Sequence, residues 1–230
     1  MKFLSIGLLF FSLMLSAQDS AYPDFQAVDS LYREDQFYMG FTYNILQNMP
    51  EDMTQNKFSA GLYAGFLRDM PINDDRTVAI AVGVGYALQN YNHNLVISES
   101  ADGYDYNIIP DDVYHRKNKL SLHFVEVPVE FRWRTSTPDS HKFWRIYTGL
   151  KFSYLLHSRS IYEGVPQEIK LSGIEDLNAF RYGVYVAAGY NTWNFFGYYG
   201  LNPLFKSSAM VGDEKVGLNT LNIGLIFYIL

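Results

Sequence analysis

The 230-residue chain contains no cysteine. That absence excludes a disulfide framework, a thiolate metal site and a cysteine nucleophile, and with them a lipid anchor on an N-terminal cysteine. Charge is scarce: 18% of residues are Asp, Glu, Lys or Arg, against about 25% in an average soluble chain. A net charge of -6 and the lack of any extended basic run give no reason to expect a nucleic-acid partner. Beyond the first residues no apolar run approaches the ~20 residues of a spanning helix, so any later membrane insertion has to use strands.

Aromatic rings are what the chain has in excess, at 17% with 19 Tyr and 17 Phe. Its start reads as an export address. Lys2, the apolar "FLSIGLLFFSLML" and the small-residue site "SAQDS" predict a signal peptide over 1–17, cleaved after Ala17. A retained helix is the alternative, but the run falls short of the ~20 residues needed to span. Residues 18–35 are then expected to form a periplasmic N-terminal segment ahead of one domain over 36–230.

From Gln36 onward the pattern has a period of two. "QFYMGFTYNIL" sets Phe37, Met39 and Phe41 opposite Tyr38, Thr42 and Asn44, and "FVEVPVEFRWR" sets Val125, Val127, Val129, Phe131 and Trp133 opposite Glu126, Pro128, Glu130, Arg132 and Arg134. Six further segments alternate in the same way or, in the case of "FFGYYGLNPLF", are too aromatic to assign a facing. Short links ("DMPINDD", "TSTPDSH", "NTW") alternate with longer ones, two of them long and polar, near 98–118 and 157–177. This layout predicts an all-β fold, an eight-stranded antiparallel up-and-down transmembrane β-barrel with tight periplasmic turns and mobile external loops. A soluble lipocalin-like barrel is the alternative, its apolar face turned inward. Against it stand the rings at segment ends (Phe37, Trp133, Trp144, Tyr154, Tyr190) and the mixture of Gly with Arg, Lys and Glu on the polar face. Pro128 fits poorly in a sheet without edges, and the hydrophobic parity slips beside it, from Leu120, Leu122 and Phe124 to Val125, Val127 and Val129. A bulge near Phe124 and Val125 would account for both.

The signal ending in "SAQ", the eight alternating segments, "HFVEVPVEFRWR" before a short polar turn and "YTGLKFSYLL" after it resemble the PorT-like small outer-membrane barrels of Bacteroidota, which belong among the porin-family barrels. The resemblance spans nearly all of the mature chain. It implies residence in the cell outer membrane, membership of a larger envelope protein complex and a role in type IX secretion. The chain ends in Leu230 where many such barrels end in Phe, with Phe227 and Tyr228 close by.

If the hydrophobes meet outer-membrane lipid, Glu126, Glu130 and Arg132 enter a lumen that eight strands make just wide enough for side chains to fill. A tight hairpin puts Arg145 and Lys151 beside them, and Arg181 is the third cation of the next strand pair. The expected arrangement is a charge network that closes the lumen, since an unpaired buried charge costs several kcal/mol. A proton relay through Glu126 and Glu130 is the sharper alternative. The five histidines, His93, His115, His123, His141 and His157, match no metal-ligand spacing, and Ser158 joins no recognisable triad, so neither a metal, a cofactor nor a catalytic residue is expected. The acidic loop after Ser98 lacks the spacing of a calcium loop. Two function classes remain: a non-enzymatic structural or accessory barrel of an envelope machine, and a small passive pore; an enzyme at the barrel rim is a third, less supported reading.

Overall fold

The computed structural model describes residues 35–55, 57–101, 103–110, 112–136, 143–165 and 167–229. The expected signal peptide and nearly all of the 18–35 segment lie outside them. Thirteen strands follow in order: β1 (Gln36–Gln47), β2 (Ala60–Pro71), β3 (Val78–Asn92), β4 (Leu95–Ser100), β5 (Gly103–Ile108), β6 (His115–Arg134), β7 (Trp144–Gly164), β8 (Glu168–Ser172), β9 (Phe180–Tyr190), β10 (Trp193–Gly200), β11 (Met210–Val211), β12 (Glu214–Lys215) and β13 (Asn219–Ile229).

Eight of them close a barrel in the order β1-β2-β3-β6-β7-β9-β10-β13, antiparallel throughout. Closure comes from pairing of the two ends of the sheet, Phe37 with Ile229 through Gln47 with Asn219. With no open edge, every interior rung can find a partner across the ladder, the condition for a sheet in hydrocarbon. The alternation read in the sequence is the alternation of facing. Phe37, Leu62, Val84, Val127, Trp144, Val184 and Ile223 are exposed on the outer wall, while Tyr38, Tyr63, Glu126, Arg145, Tyr185 and Asn222 are buried inside. The soluble alternative is thereby reversed, because the bulky face points outward. In β10, whose facing the sequence left open, Asn194, Phe196 and Tyr198 point inward and Phe195 outward.

Two expectations on β6 are corrected. The strand keeps one parity throughout, with Leu120, Leu122, Phe124, Glu126, Glu130 and Arg132 all buried inside. The hydrophobic pattern slips because the lumen is apolar in its outer half and charged in its inner half. The register does shift at His123/Phe124, but the extra residue is on β7: His123 faces His157 and Phe124 faces Leu155, so Leu156 has no counterpart. Pro128 is accommodated without a bulge. The β3–β6 ladder holds one register from Val78/Trp133 to Asn92/Lys119 and omits only the rungs where Gly83 and Val84 would meet Pro128 and Val127, as the missing proline N–H requires.

β2–β3, β6–β7 and β9–β10 are joined at one end of the barrel, and the long connections lie at the other. These are not merely solvated links. β6 and β7, at 20 and 21 residues, are about twice the 9–11 residues that cross a bilayer. They continue beyond the membrane as a sheet extended by β8, and β4 pairs with β5 as a separate hairpin. Leu95, Ile97, Tyr106, Leu171, Ile174, Leu177, Leu204, Phe205 and Leu218 from the long connections are buried in one apolar cluster with Leu120 and Leu122. The outer mouth is thus covered by a cap with its own hydrophobic core.

Candidate functional site

Three layers fill the lumen. At the inner end, Arg134 makes a bidentate pair with Asp69, Nη1 and Nη2 donating at 2.9 and 2.8 Å. Arg132 donates from Nη1 to the same carboxylate at 2.9 Å and from Nε to Glu130 at 2.7 Å. Glu130 also accepts from the Tyr185 hydroxyl at 2.7 Å. The result is a chain of alternating charges across strands β2, β6 and β9, with Arg132 and Arg134 both fully buried. Such a chain is tolerated away from water because each carboxylate oxygen has a charged or hydroxyl donor.

In the middle layer Lys151 Nζ lies 2.9 Å from Glu126. Its ammonium is also enclosed by rings, 4.6 Å from the centroid of Tyr63, 5.1 Å from Phe196, 5.2 Å from Tyr185 and 5.5 Å from Tyr198. Four ring faces and one carboxylate replace the water shell that a buried ammonium would otherwise lose. The Tyr63 hydroxyl accepts in turn from Asn222 at 2.6 Å and Gln89 at 3.2 Å. Above this level the outer layer is formed by Leu120, Leu122 and Phe124 under the cap.

Arg145 and Arg181 do not join the carboxylates. Arg145 stands two pleat repeats below Glu130, its rung mate being Arg134, and its guanidinium stacks 4.5 Å over Phe143 and 5.5 Å over Tyr228. Arg181 shares a rung with Ser153, but Lys151 already occupies Glu126, and Arg181 turns to Asn202 at 3.2 Å and Thr220 at 3.4 Å. Among the described residues the lumen therefore holds five buried cations, Arg132, Arg134, Arg145, Lys151 and Arg181, and three buried carboxylates, Asp69, Glu126 and Glu130.

A sequence profile of the outer membrane protein beta-barrel domain matches residues 16–206. The chain belongs to this outer-membrane β-barrel family. It is a protein of the outer membrane; in bacterial outer-membrane barrels the short turns face the periplasm. The match does not reach the narrower resemblance to PorT. Comparison with curated proteins returns no match. Among solved structures the barrel is similar to Ail, the attachment invasion locus protein of Yersinia pestis, at 14% identity over 85% of this chain and 99% of that one, with a TM-score of 0.35.

Sequence reasoning missed Asp69 as the anchor of the inner layer of this outer-membrane barrel and did not include Arg134 in the network. Both were within reach, since Asp69 continues the inward parity of Tyr63 and Leu67, and Arg134 that of Glu130 and Arg132. The aromatic enclosure of Lys151 depends on rings from three strands, β2, β9 and β10, which no local pattern connects.

The histidines do not form a site together. His93 is buried under the cap, where its Nδ1 accepts from the Leu95 N–H at 3.2 Å, and burial depresses its pKa from 6.5 to about 4. His115 packs on Tyr162. His123 lies beside His157 on the outer wall, rings 5.6 Å apart, and its Nδ1 meets the Tyr86 hydroxyl. His141 is outside the described residues. Ser158 accepts from the Ile174 N–H at 2.9 Å and pins the cap. No group of three or more His, Asp or Glu among the described residues is arranged to hold a metal ion. Within the cap, Asp176 joins two connections by accepting from the hydroxyls of Tyr106 at 2.9 Å and Ser208 at 3.0 Å; burial and that carboxylate raise the phenol pKa of Tyr106.

Proposed function

We propose that this outer-membrane barrel is a non-enzymatic structural or accessory component of an envelope assembly, which acts through its cap and walls and not through its lumen. The observation that supports this reading is the filled interior: the Asp69–Arg134–Arg132–Glu130 chain and the enclosed Lys151–Glu126 pair occupy the cross-section of a barrel already narrow at eight strands. The resemblance to PorT makes type IX secretion the first assembly to test. Purified protein in planar bilayers is expected to give no steady conductance, and gentle extraction with a tag on an external connection is expected to recover larger envelope proteins. A protein that purifies alone and conducts in discrete steps would instead be a small pore. Loss of type IX cargo from the secretome of a deletion strain would support the PorT-like role; unchanged secretion with another stable partner would point to a different machine.

A further inference from the structure

The outer wall changes chemistry abruptly. Going outward along β6 it runs from Trp133 through Val127 and Val125 to His123, Ser121 and Lys119; along β7 it runs from Trp144 through Leu150 and Tyr154 to His157 and Arg159. At about 3.4 Å per residue and a tilt near 45°, the stretch from Trp133 to His123 rises about 24 Å, which is the height of the apolar band of an outer-membrane barrel. His123 and His157, paired across the strands, therefore mark the upper border of that band. Arg159, opposite Ser121, and Lys119, opposite Ile161, stand on the next two rungs, diagonal neighbours across the two strands.

These cations are not balanced by the protein. Lys119 is exposed to the repulsion of both Lys117 and Arg159, and His123 to that of His157 and Lys119. The nearest carboxylate in the ladder, Glu163 opposite Lys117, is held by Arg116 at 2.7 Å. No ion pair engages Lys119 or Arg159 among the described residues. In a chain of net charge -6, a strip of like positive charge at one height is not background. It lies where a bilayer presents its headgroups, with aliphatic wall below it and the cap above.

We propose that Lys119 and Arg159, with His123 and His157 at their base, bind the phosphate groups of an outer-leaflet lipid whose acyl chains lie against the β6–β7 wall. The ammonium and guanidinium donate to phosphate oxygens, and the anion removes the mutual repulsion of the strip. This site is independent of whether the barrel joins a larger assembly.

The test uses the full mature chain in nanodiscs of phosphatidylcholine doped with diphosphoryl lipid A, with lipid retention counted by native mass spectrometry. Wild type is expected to retain lipid A in preference to phosphatidylcholine. Since a basic side chain near a charged headgroup is worth about a factor of five, K119Q and R159Q should each lose roughly that much, and the double variant roughly 30-fold. The charge-preserving K119R/R159K should retain most of the binding, and K206Q/K215Q, which removes exposed cations elsewhere in the external connections, should change nothing. Three results would overturn the proposal: equal retention by a K119Q/R159Q protein that still shows the heat-modifiable gel shift, equal loss in K206Q/K215Q, or displacement of the lipid by inorganic phosphate.

Discussion

Asp69 is the residue on which the inner lumen depends, because one carboxylate accepts from two fully buried guanidiniums. Replacing it by Asn removes the charge while preserving the shape, so that Arg132 keeps Glu130 while Arg134, whose Nε donates to the Arg76 carbonyl at 3.0 Å, loses its bidentate carboxylate. Asp69→Asn is expected to destabilise the barrel by about 3–5 kcal/mol, read as a lower midpoint of the heat-modifiable gel shift, whereas Val127→Ala on the lipid face should cost less than about 1 kcal/mol. Equal, small effects would mean that Asp69 does not hold a buried network, and a larger loss at Val127 would mean that the two faces have been exchanged. His93 makes the cap sensitive to pH. Its neutral form is favoured in the folded protein, with the Nδ1 lone pair committed to the Leu95 N–H, so the unfolded chain takes up a proton first as the pH falls. Stability is full above the unfolded pKa near 6.5 and declines towards the folded value of about 4, by a total on the order of 3 kcal/mol. Proteolysis of the external connections should accelerate between pH 6.5 and 4, and His93→Gln should flatten that dependence.

At the scale of elements, the bulge at Leu156 decides which residues of β7 face inward. Below it the inward set is Arg145, Tyr147, Lys151 and Ser153, and above it the set is Ser158, Ser160 and Tyr162. Deleting Leu156 removes the unmatched residue, so strict alternation then runs from Ser153 and Leu155 to Ser158 and keeps Ser158 turned toward the Ile174 N–H that it caps. The deletion is expected to keep both the heat-modifiable barrel and the protection of the 157–177 region against added protease; a cleavable outer segment would show that the local twist of the bulge, and not facing alone, holds the cap in place. Most of the barrel was legible in the sequence because a period of two maps directly onto lipid and lumen, and Phe37, Leu62, Val127 and Val184 leave little ambiguity. The bulge was legible only as a disturbance. The apolar outer lumen and a misplaced register produce the same slip in β6, and the residue that resolves them is on the other strand. The cap was read as polar loops because its apolar residues, such as Ile97, Ile174 and Phe205, are dispersed over three connections and meet only in space. Arg145 and Arg181 were assigned to the charge network for a related reason: parity places a side chain inside the barrel but does not set its height or its partner.

For the whole molecule, orientation can be tested cleanly because there is no native cysteine to interfere. Ser207→Cys, exposed in the connection after β10, should react with an impermeant maleimide on intact cells, and Asp75→Cys, exposed in the β2–β3 turn, should react only after the outer membrane is opened. The reverse pattern would invert the barrel. The pairing of β1 with β13 carries a further consequence for biogenesis. The first strand of the barrel has as its partner the last of the barrel strands, with Phe37 meeting Ile229. No closed hydrogen-bonded cylinder can exist until the last barrel strand has been made and exported, and until then the free edges are unpaired templates for other strands. Before closure the eight aromatic-rich strands therefore lack the stability that the completed ladder gives, and what protects them in that interval has to come from outside the barrel.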